Sequence, residues 1–140
     1  MSDYKMLNKA LDLAREKHAG QYDKSGVEYI FHPVLVALQC KSDEAKVAGL
    51  LHDVLEDTDT TVEELKELGF NQKIIASLLL LTHTGMSYED YIRRIKESND
   101  EVAIEVKLAD LTMNMDTSRL NGQKPAKYDL YLWAMDYLKS

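Results

Sequence analysis

Apolar residues recur at helical spacing along most of this chain, so the pattern predicts helices joined by short connections. In the first predicted helix, residues 3–18, the apolar face consists of Met6, Leu7, Ala10, Leu11 and Ala14. Further helices are predicted over residues 33–40, 43–57, 71–83, 87–97, 100–118 and 125–139, with a short helix between Thr61 and Gly69. No segment has a convincing period of two, so the pattern predicts an all-α fold.

Polar residues at the predicted helix starts support these boundaries. Ser42 is an N-cap candidate because two acidic residues follow it in the first turn. Thr61 with Glu64 has the spacing of a capping box, and Ser87 opens a similar pattern. The segment 101–109, EVAIEVKLA, alternates and could form a buried strand. A single strand without a partner elsewhere is implausible, so helix is preferred there.

Composition places the chain among ordinary globular proteins. Its 140 residues are 45% apolar and 29% charged, which fits one domain over residues 1–140. Cys40 is the single cysteine, so no intrachain disulfide can form and a reducing compartment is expected. No apolar run approaches the roughly 18 residues that a membrane-spanning helix needs, and the N-terminus lacks a secretory apolar region. These features predict a cytoplasmic protein without a membrane partner.

The charge balance narrows the class of ligand. The formal net charge is −7, which argues against binding to a nucleic-acid polymer, since that requires a basic face. A small phosphorylated substrate remains compatible, because a metal ion and a few lysines can neutralise phosphate locally. The sequence gives no prediction of oligomeric state.

The stretch LLHDVLEDT, residues 50–58, places ionisable side chains on an otherwise apolar helix. Glu56 lies one helical turn after His52, and Asp57 lies one turn after Asp53. Buried carboxylates must pair, protonate or bind a cation, and three neighbouring carboxylates repel one another. A divalent metal would relieve this repulsion. The alternative is a helix C-terminus with solvated acids, although acids there oppose the helix dipole.

A second polar line runs along the predicted helix 100–118. Lys107, Asp110, Asn114 and Thr117 fall on one face at i, i+3, i+7 and i+10. Such a line is usually solvent-facing, but these side chains include short hydrogen-bonding groups that are also typical of a functional site. His32, which precedes Pro33, is most simply a structural residue when the sequence pattern alone is considered.

The order of these motifs resembles the HD-domain phosphohydrolases, and more narrowly the hydrolase domain of the RelA/SpoT alarmone enzymes and their small stand-alone relatives. The resemblance covers about residues 7–120. It is carried by the segments HAGQYDKSGVEYIFHP, AGLLHDVLEDTDTT and VKLADLTMNMDTSRL. The fold that it implies is a compact multi-helix HD-domain bundle.

The resemblance implies a metal centre and a catalytic pair. The four implied metal ligands are His32, His52, Asp53 and Asp110. The implied metal is Mn²⁺, while Fe²⁺ or another divalent ion also suits mixed imidazole and carboxylate ligands. Glu56 and Asp57 match the pair that orients and deprotonates the attacking water, and the metal would lower the pKa of that water.

The implied reaction removes the 3′-pyrophosphate from guanosine tetra- or pentaphosphate, giving GDP or GTP and pyrophosphate. The implied substrate-binding residues are Lys24, Ser25, Asn114 and Thr117.

At three positions this chain has a different residue from the one common in the family. Asp23 stands where the family commonly has an arginine, and Leu111 and Met113 replace an arginine and a histidine. An arginine can stack on a purine and neutralise phosphate, whereas an aspartate can do neither. Two alternatives therefore stay open: a phosphohydrolase of the same superfamily acting on another nucleotide or phosphate ester, and a metal-stabilised binding module without activity.

Overall fold

The fold was obtained as a computed structural model that describes residues 3–116, 122, 124 and 126–140. Within these residues the helices are α1 (Asp3–Lys17), α2 (Phe31–Gln39), α3 (Asp43–Leu51), α4 (Val54–Asp57), α5 (Val62–Glu67), α6 (Gln72–Leu80), α7 (Tyr88–Ser98), α8 (Glu101–Asn114) and α9 (Tyr128–Lys139). The β-structure found in the same residues is one isolated antiparallel bridge, between Tyr22 and Glu28. The all-α prediction is confirmed.

The predicted caps are present at the starts of three helices. Ser42 Oγ accepts a hydrogen bond from Ala45 N at 3.1 Å, and Thr61 Oγ1 accepts one from Glu64 N at 3.1 Å. The Ser87 side chain caps α7 in the same way. Each cap satisfies an amide that the first helical turn leaves without a carbonyl partner. The segment 101–109 is helical, as preferred.

The prediction of one continuous helix over residues 43–57 is wrong. Helix α3 ends at Leu51, and a turn at His52 and Asp53 separates it from α4. His52 Nδ1 lies 2.6 Å from Gly49 O, the carbonyl that would accept from Asp53 N in a continuous helix. The imidazole thus competes with the backbone for that acceptor, and Asp53 adopts φ −104° and ψ −3°, away from regular helix values.

Other boundaries shift by a few residues. Helix α6 ends at Leu80, three residues before the predicted end, and His83 lies in the loop before α7. Helix α8 ends at Asn114 and α9 begins at Tyr128, both inside the predicted ranges.

Helix α3 lies at the centre of the fold, in contact with α1, α2, α6 and α8. Its apolar residues Val47, Leu50 and Leu51 are buried. Gly49 permits a close approach to α2, because a Cβ atom there would lie 3.2 Å from Ala37 Cα. The resulting packing places the start of α2 next to the end of α3, and the cleft described below is built at that junction.

No helix in the described part of the chain is long and apolar enough to cross a membrane.

Cys40 is buried, with 2% of its surface exposed, as expected for a small apolar side chain.

Candidate metal centre and cleft

Three parts of the fold bring the four predicted metal ligands together. His32 comes from α2, His52 and Asp53 from the turn between α3 and α4, and Asp110 from α8. His32 Nε2 lies 2.8 Å from Asp110 Oδ1, and His52 Nε2 lies 3.4 Å from the same oxygen. Possible ligand atoms of His32, His52 and Asp53 all lie within 4.8 Å of one another. The predicted set is therefore a spatial cluster.

The chemistry of His52 fits a bound cation. Its Nδ1 faces Gly49 O and donates to it, which leaves Nε2 as the lone-pair nitrogen of the neutral ring. In the described structure Nε2 is buried without a hydrogen-bond partner, although Asp53 Oδ2 is 3.0 Å away. Lone pairs of a nitrogen and two carboxylates thus face one point, which requires a proton or a cation there. The residues therefore fit a divalent metal.

The charges of this cluster perturb each other strongly. Without a cation, a proton takes that place on His52: burial lowers the pKa of the imidazole, but the Asp53 and Asp110 carboxylates outweigh burial and raise the pKa well above its usual value. Burial raises the pKa of Asp110, yet Lys107 and the two histidines outweigh that effect and hold it well below its usual value. Asp110 is thus an anion, as a carboxylate ligand of a metal must be.

The polar line on α8 faces the interior, so the alternative of a solvent-facing stripe is wrong for its described members. Lys107 and Asp110 are 8% and 6% exposed, and Lys107 Nζ lies 3.0 Å from Asp110 Oδ2. Asn114 Nδ2 donates to Asp110 Oδ1 at 3.3 Å. Thr117 lies outside the described residues.

Sequence reasoning missed a tyrosine that orients one of these ligands. The Tyr29 hydroxyl donates to Asp53 Oδ2, and its ring packs against His32 with centroids 5.6 Å apart. Burial raises the pKa of Tyr29, and Asp53 raises it further, so this hydroxyl keeps its proton and remains a donor. The signal in the sequence was the spacing of this tyrosine three residues before the histidine in YIFHP.

Glu56 and Asp57 lie on α4, immediately beyond the cluster, and both are exposed. This part of the solvated-acid alternative is correct, since both residues are exposed to solvent. Glu56 Oε1 accepts a hydrogen bond from His83 N at 2.6 Å. Partial desolvation of the Asp57 carboxylate raises its pKa, and the charges of Asp53 and Glu56 raise it further, which makes the carboxylate a stronger base.

A cleft with a volume of about 540 Å³ opens over the cluster. The catalytic candidates Glu56 and Asp57 line it, together with three of the predicted substrate-binding residues, Lys24, Ser25 and Asn114. Its lining also includes four aromatic residues that sequence reasoning missed: His83, Tyr88, Tyr91 and Tyr131. These four side chains come together through tertiary packing, so the local sequence gave little indication that they would line the cleft.

The departures from the family pattern have distinct environments. Asp23 lines the cleft, and its Oδ1 accepts from Ser25 N at 2.8 Å and Val27 N at 3.0 Å. The aspartate therefore orders the loop besides adding a negative charge to it. Met113 also lines the cleft, whereas Leu111 is fully buried in the core.

Known proteins are similar to this chain in sequence and in fold. Residues 10–106 match the HD domain family. The guanosine-3′,5′-bis(diphosphate) 3′-pyrophosphohydrolase of Borreliella burgdorferi is 39% identical over 129 residues, covering 81% of this chain and 19% of that protein. The bifunctional (p)ppGpp synthase/hydrolase SpoT of Escherichia coli is 34% identical over 137 residues, covering 88% of this chain and 19% of that protein. The chain thus spans about a fifth of the length of these relatives.

A solved structure supports the same assignment. It is that of a metazoan ortholog of SpoT, described as hydrolysing ppGpp and acting in starvation responses. It superposes with a TM-score of 0.74 at 25% identity, over 96% of this chain and 86% of that one. With its match to the family over residues 10–106 and its clustered histidines and aspartates, this chain belongs to the HD-domain family.

Proposed function

We propose that this chain is a metal-dependent hydrolase that removes the 3′-pyrophosphate from guanosine tetra- or pentaphosphate. The observation that carries the proposal is the convergence of His32, His52, Asp53 and Asp110 beside the exposed Glu56 and Asp57. Relatives at 34–39% identity bear the names of such enzymes, which supports the choice of substrate.

The cluster would hold one divalent ion through His32, His52, Asp53 and Asp110, and Mn²⁺ suits these mixed ligands, with Fe²⁺ as an alternative. When bound, such an ion lowers the pKa of water and polarises a phosphoryl oxygen.

The chain's own carboxylates would accept the proton of the attacking water. Glu56 and Asp57 orient the attacking water, and one of them accepts its proton as the oxygen bonds to phosphorus. The bond between phosphorus and the ribose 3′ oxygen breaks, and that oxygen takes a proton from the protonated carboxylate or from solvent, which leaves the carboxylate pair ready for another cycle. The products are GDP or GTP and pyrophosphate.

The same cleft would bind the nucleotide. Lys24 and Ser25 line one side, where an ammonium and a hydroxyl can contact phosphate oxygens. Asn114 also lines the cleft. Asn114 and Thr117 are proposed to contact the ribose and phosphates of the nucleotide. The partner is thus a small phosphorylated nucleotide rather than a nucleic-acid polymer.

Two further features belong to this proposal. Residues 1–140 form a single HD-type hydrolase domain, and the protein acts in the cytoplasm. The buried, unpaired Cys40 supports a reducing location.

A second candidate is a phosphohydrolase of the same superfamily that acts on another nucleotide or phosphate ester. The observation that favours it is the composition of the cleft, where Asp23 and Met113 stand in place of a family arginine and histidine. Both changes remove groups that can neutralise phosphate.

A nucleotide panel with Mn²⁺ distinguishes the two candidates. Purified protein is incubated with ppGpp, pppGpp and other nucleotides, with and without EDTA, and the products are separated by ion exchange. We expect pyrophosphate and GDP from ppGpp, abolished by EDTA. A clearly higher kcat/KM for another substrate favours the second candidate, and metal binding without any turnover contradicts both.

A further inference from the structure

The loop between α6 and α7, residues 81–87, contacts one of the two proposed catalytic carboxylates. The backbone amide of His83 donates to Glu56 Oε1 at 2.6 Å. A hydrogen bond to an ionised acceptor is shorter and stronger than a neutral one. Because Glu56 is exposed, its side chain would otherwise sample several rotamers. This amide therefore restricts where the Glu56 carboxylate lies in the cleft.

The imidazole of His83 fixes the loop that carries this amide. Its Nε2 lies 2.7 Å from Met86 O, so the ring N–H closes the loop on itself. The ring stacks on Tyr91 of α7, with centroids 4.7 Å apart and planes 14° apart. Tyr91 is itself held, because its ring is 3% exposed and its hydroxyl donates to Leu81 O at 2.8 Å. The loop thus has a rigid anchor in the core.

We infer that His83 is a positioning residue for hydrolysis, acting through its ring to hold its own amide against Glu56. The inference rests on the proposed role of Glu56. A general base must be held within hydrogen-bonding reach of the water, and a displacement of about 1 Å can reduce the rate by about 100-fold. His83 is not among the clustered metal-binding side chains, so its effect is separable from metal binding.

The kinetic test is a double-mutant cycle of His83→Ala and Glu56→Ala, assayed with ppGpp and Mn²⁺. We expect His83→Ala to lower kcat by about 10- to 100-fold while KM changes less than about 3-fold. In the Glu56→Ala background the same change should lower kcat less than about 2-fold, because the group it positions is gone. His83→Phe keeps the stack on Tyr91 and should recover part of the loss. Thr84→Ala, at an exposed neighbour in the same loop, should match wild type.

A second cycle, on melting temperature, keeps the inference testable if ppGpp is not a substrate. Glu56→Ala removes the acceptor of this hydrogen bond, and His83→Ala removes the ring that holds its donor in place, so their combined lowering of Tm should be smaller than the sum of the two. Wild-type inactivity on ppGpp contradicts the proposed function alone. Additive effects on kcat, or additive effects on Tm where no substrate is found, overturn the role of His83.

Discussion

His52 Nε2 lies 3.0 Å from Oδ2 of Asp53, the next residue in the sequence. Adjacent residues of a continuous helix point about 100° apart, so they do not usually share one site. The turn between α3 and α4 allows it here, and the bond from His52 Nδ1 to Gly49 O maintains that turn. Two metal-ligand candidates thus depend on one local break in a helix.

Removal of the metal should lower thermal stability. The proposed ligands place lone pairs against one another, and an ion that binds only the folded state adds RT ln(1 + [L]/Kd) to its stability. At 100-fold excess over Kd this is about 2.7 kcal/mol, or roughly 5–10 °C in Tm for a domain of this size. Melting curves with Mn²⁺ and with EDTA measure the difference. His52→Ala is the control and should lose the Mn²⁺-dependent shift, and identical wild-type curves would argue against the ligand cluster.

Replacing Lys107 with Met should destabilise the metal-free protein by about 3 kcal/mol. Its partner Asp110 is 6% exposed, so the change leaves a buried carboxylate without its ammonium. The Mn²⁺ affinity should also fall by about 10- to 100-fold, because the carboxylate loses the group that orients it.

Lys73→Met is a matched control for this change. Lys73 Nζ lies 2.9 Å from Glu44 Oε2, nearly the same distance, but these side chains are 67% and 41% exposed. An exposed pair contributes far less to stability, because water and salt screen the two charges. Urea unfolding in EDTA and calorimetric Mn²⁺ titration measure both variants. Equal losses in the two variants would mean that burial of the Lys107 pair has no energetic consequence.

Local sequence signals predicted much of the fold. Apolar spacing gave the helices, and short polar residues gave the caps, because both depend on neighbours within one or two turns. The spacing of Lys107 and Asp110 indicated the polar line on α8. The break at His52 could not be predicted, because it depends on whether the His52 imidazole or the Asp53 amide donates to Gly49 O.

The site was less accessible to local reasoning. His32 was assigned to the metal only by resemblance to the family. Its partner Asp110 is close in space but 78 residues away in the sequence, so no local pattern connects the two. The anchoring roles of Tyr29 and His83 depend on contacts between separate elements, so no periodicity could reveal them.

Replacing Glu56 with Gln and Asp57 with Asn should abolish most turnover without loss of metal. General acid–base groups contribute about 10²- to 10⁴-fold, so kcat of the double variant should fall at least 100-fold. Neither residue belongs to the clustered ligands, and the Mn²⁺ affinity should stay within about 3-fold. Glu67→Gln, at an exposed position on α5, is the control. Unchanged turnover in the double variant would mean that the catalytic pair is misassigned.

The Cys40 thiol should react slowly in the folded protein. Burial raises its pKa from 9.0 to about 11, and the Glu105 carboxylate adds to this rise. At pH 8 the thiolate fraction falls from about 10% to about 0.1%, so alkylation by iodoacetamide should be at least 100-fold slower than in urea. Mass spectrometry over time measures both rates, and equal rates would contradict the burial.

The same shift predicts how stability depends on pH. The unfolded thiol ionises near pH 9, before the folded one, so its contribution is fully present below pH 9 and lost as pH rises towards 11. Wild type should therefore lose more stability than Cys40→Ala between pH 8.5 and 10.5, as measured by urea unfolding at each pH. Parallel curves for the two proteins would show that Cys40 makes no such contribution.

Asp23→Asn should improve binding of a polyphosphate without changing the chemistry. The amide oxygen can still accept from Ser25 N and Val27 N, as Asp23 Oδ1 does now, while the negative charge beside the phosphates is removed. Removing a repulsion of about 1 kcal/mol corresponds to a roughly 5-fold lower KM for ppGpp, with kcat unchanged. Asp23→Ala removes the charge and both acceptors, so it separates loop order from electrostatics: its KM should exceed that of Asp23→Asn. Steady-state kinetics at low salt measure all three proteins, and a higher KM in Asp23→Asn than in wild type would show that the carboxylate itself takes part in binding the substrate.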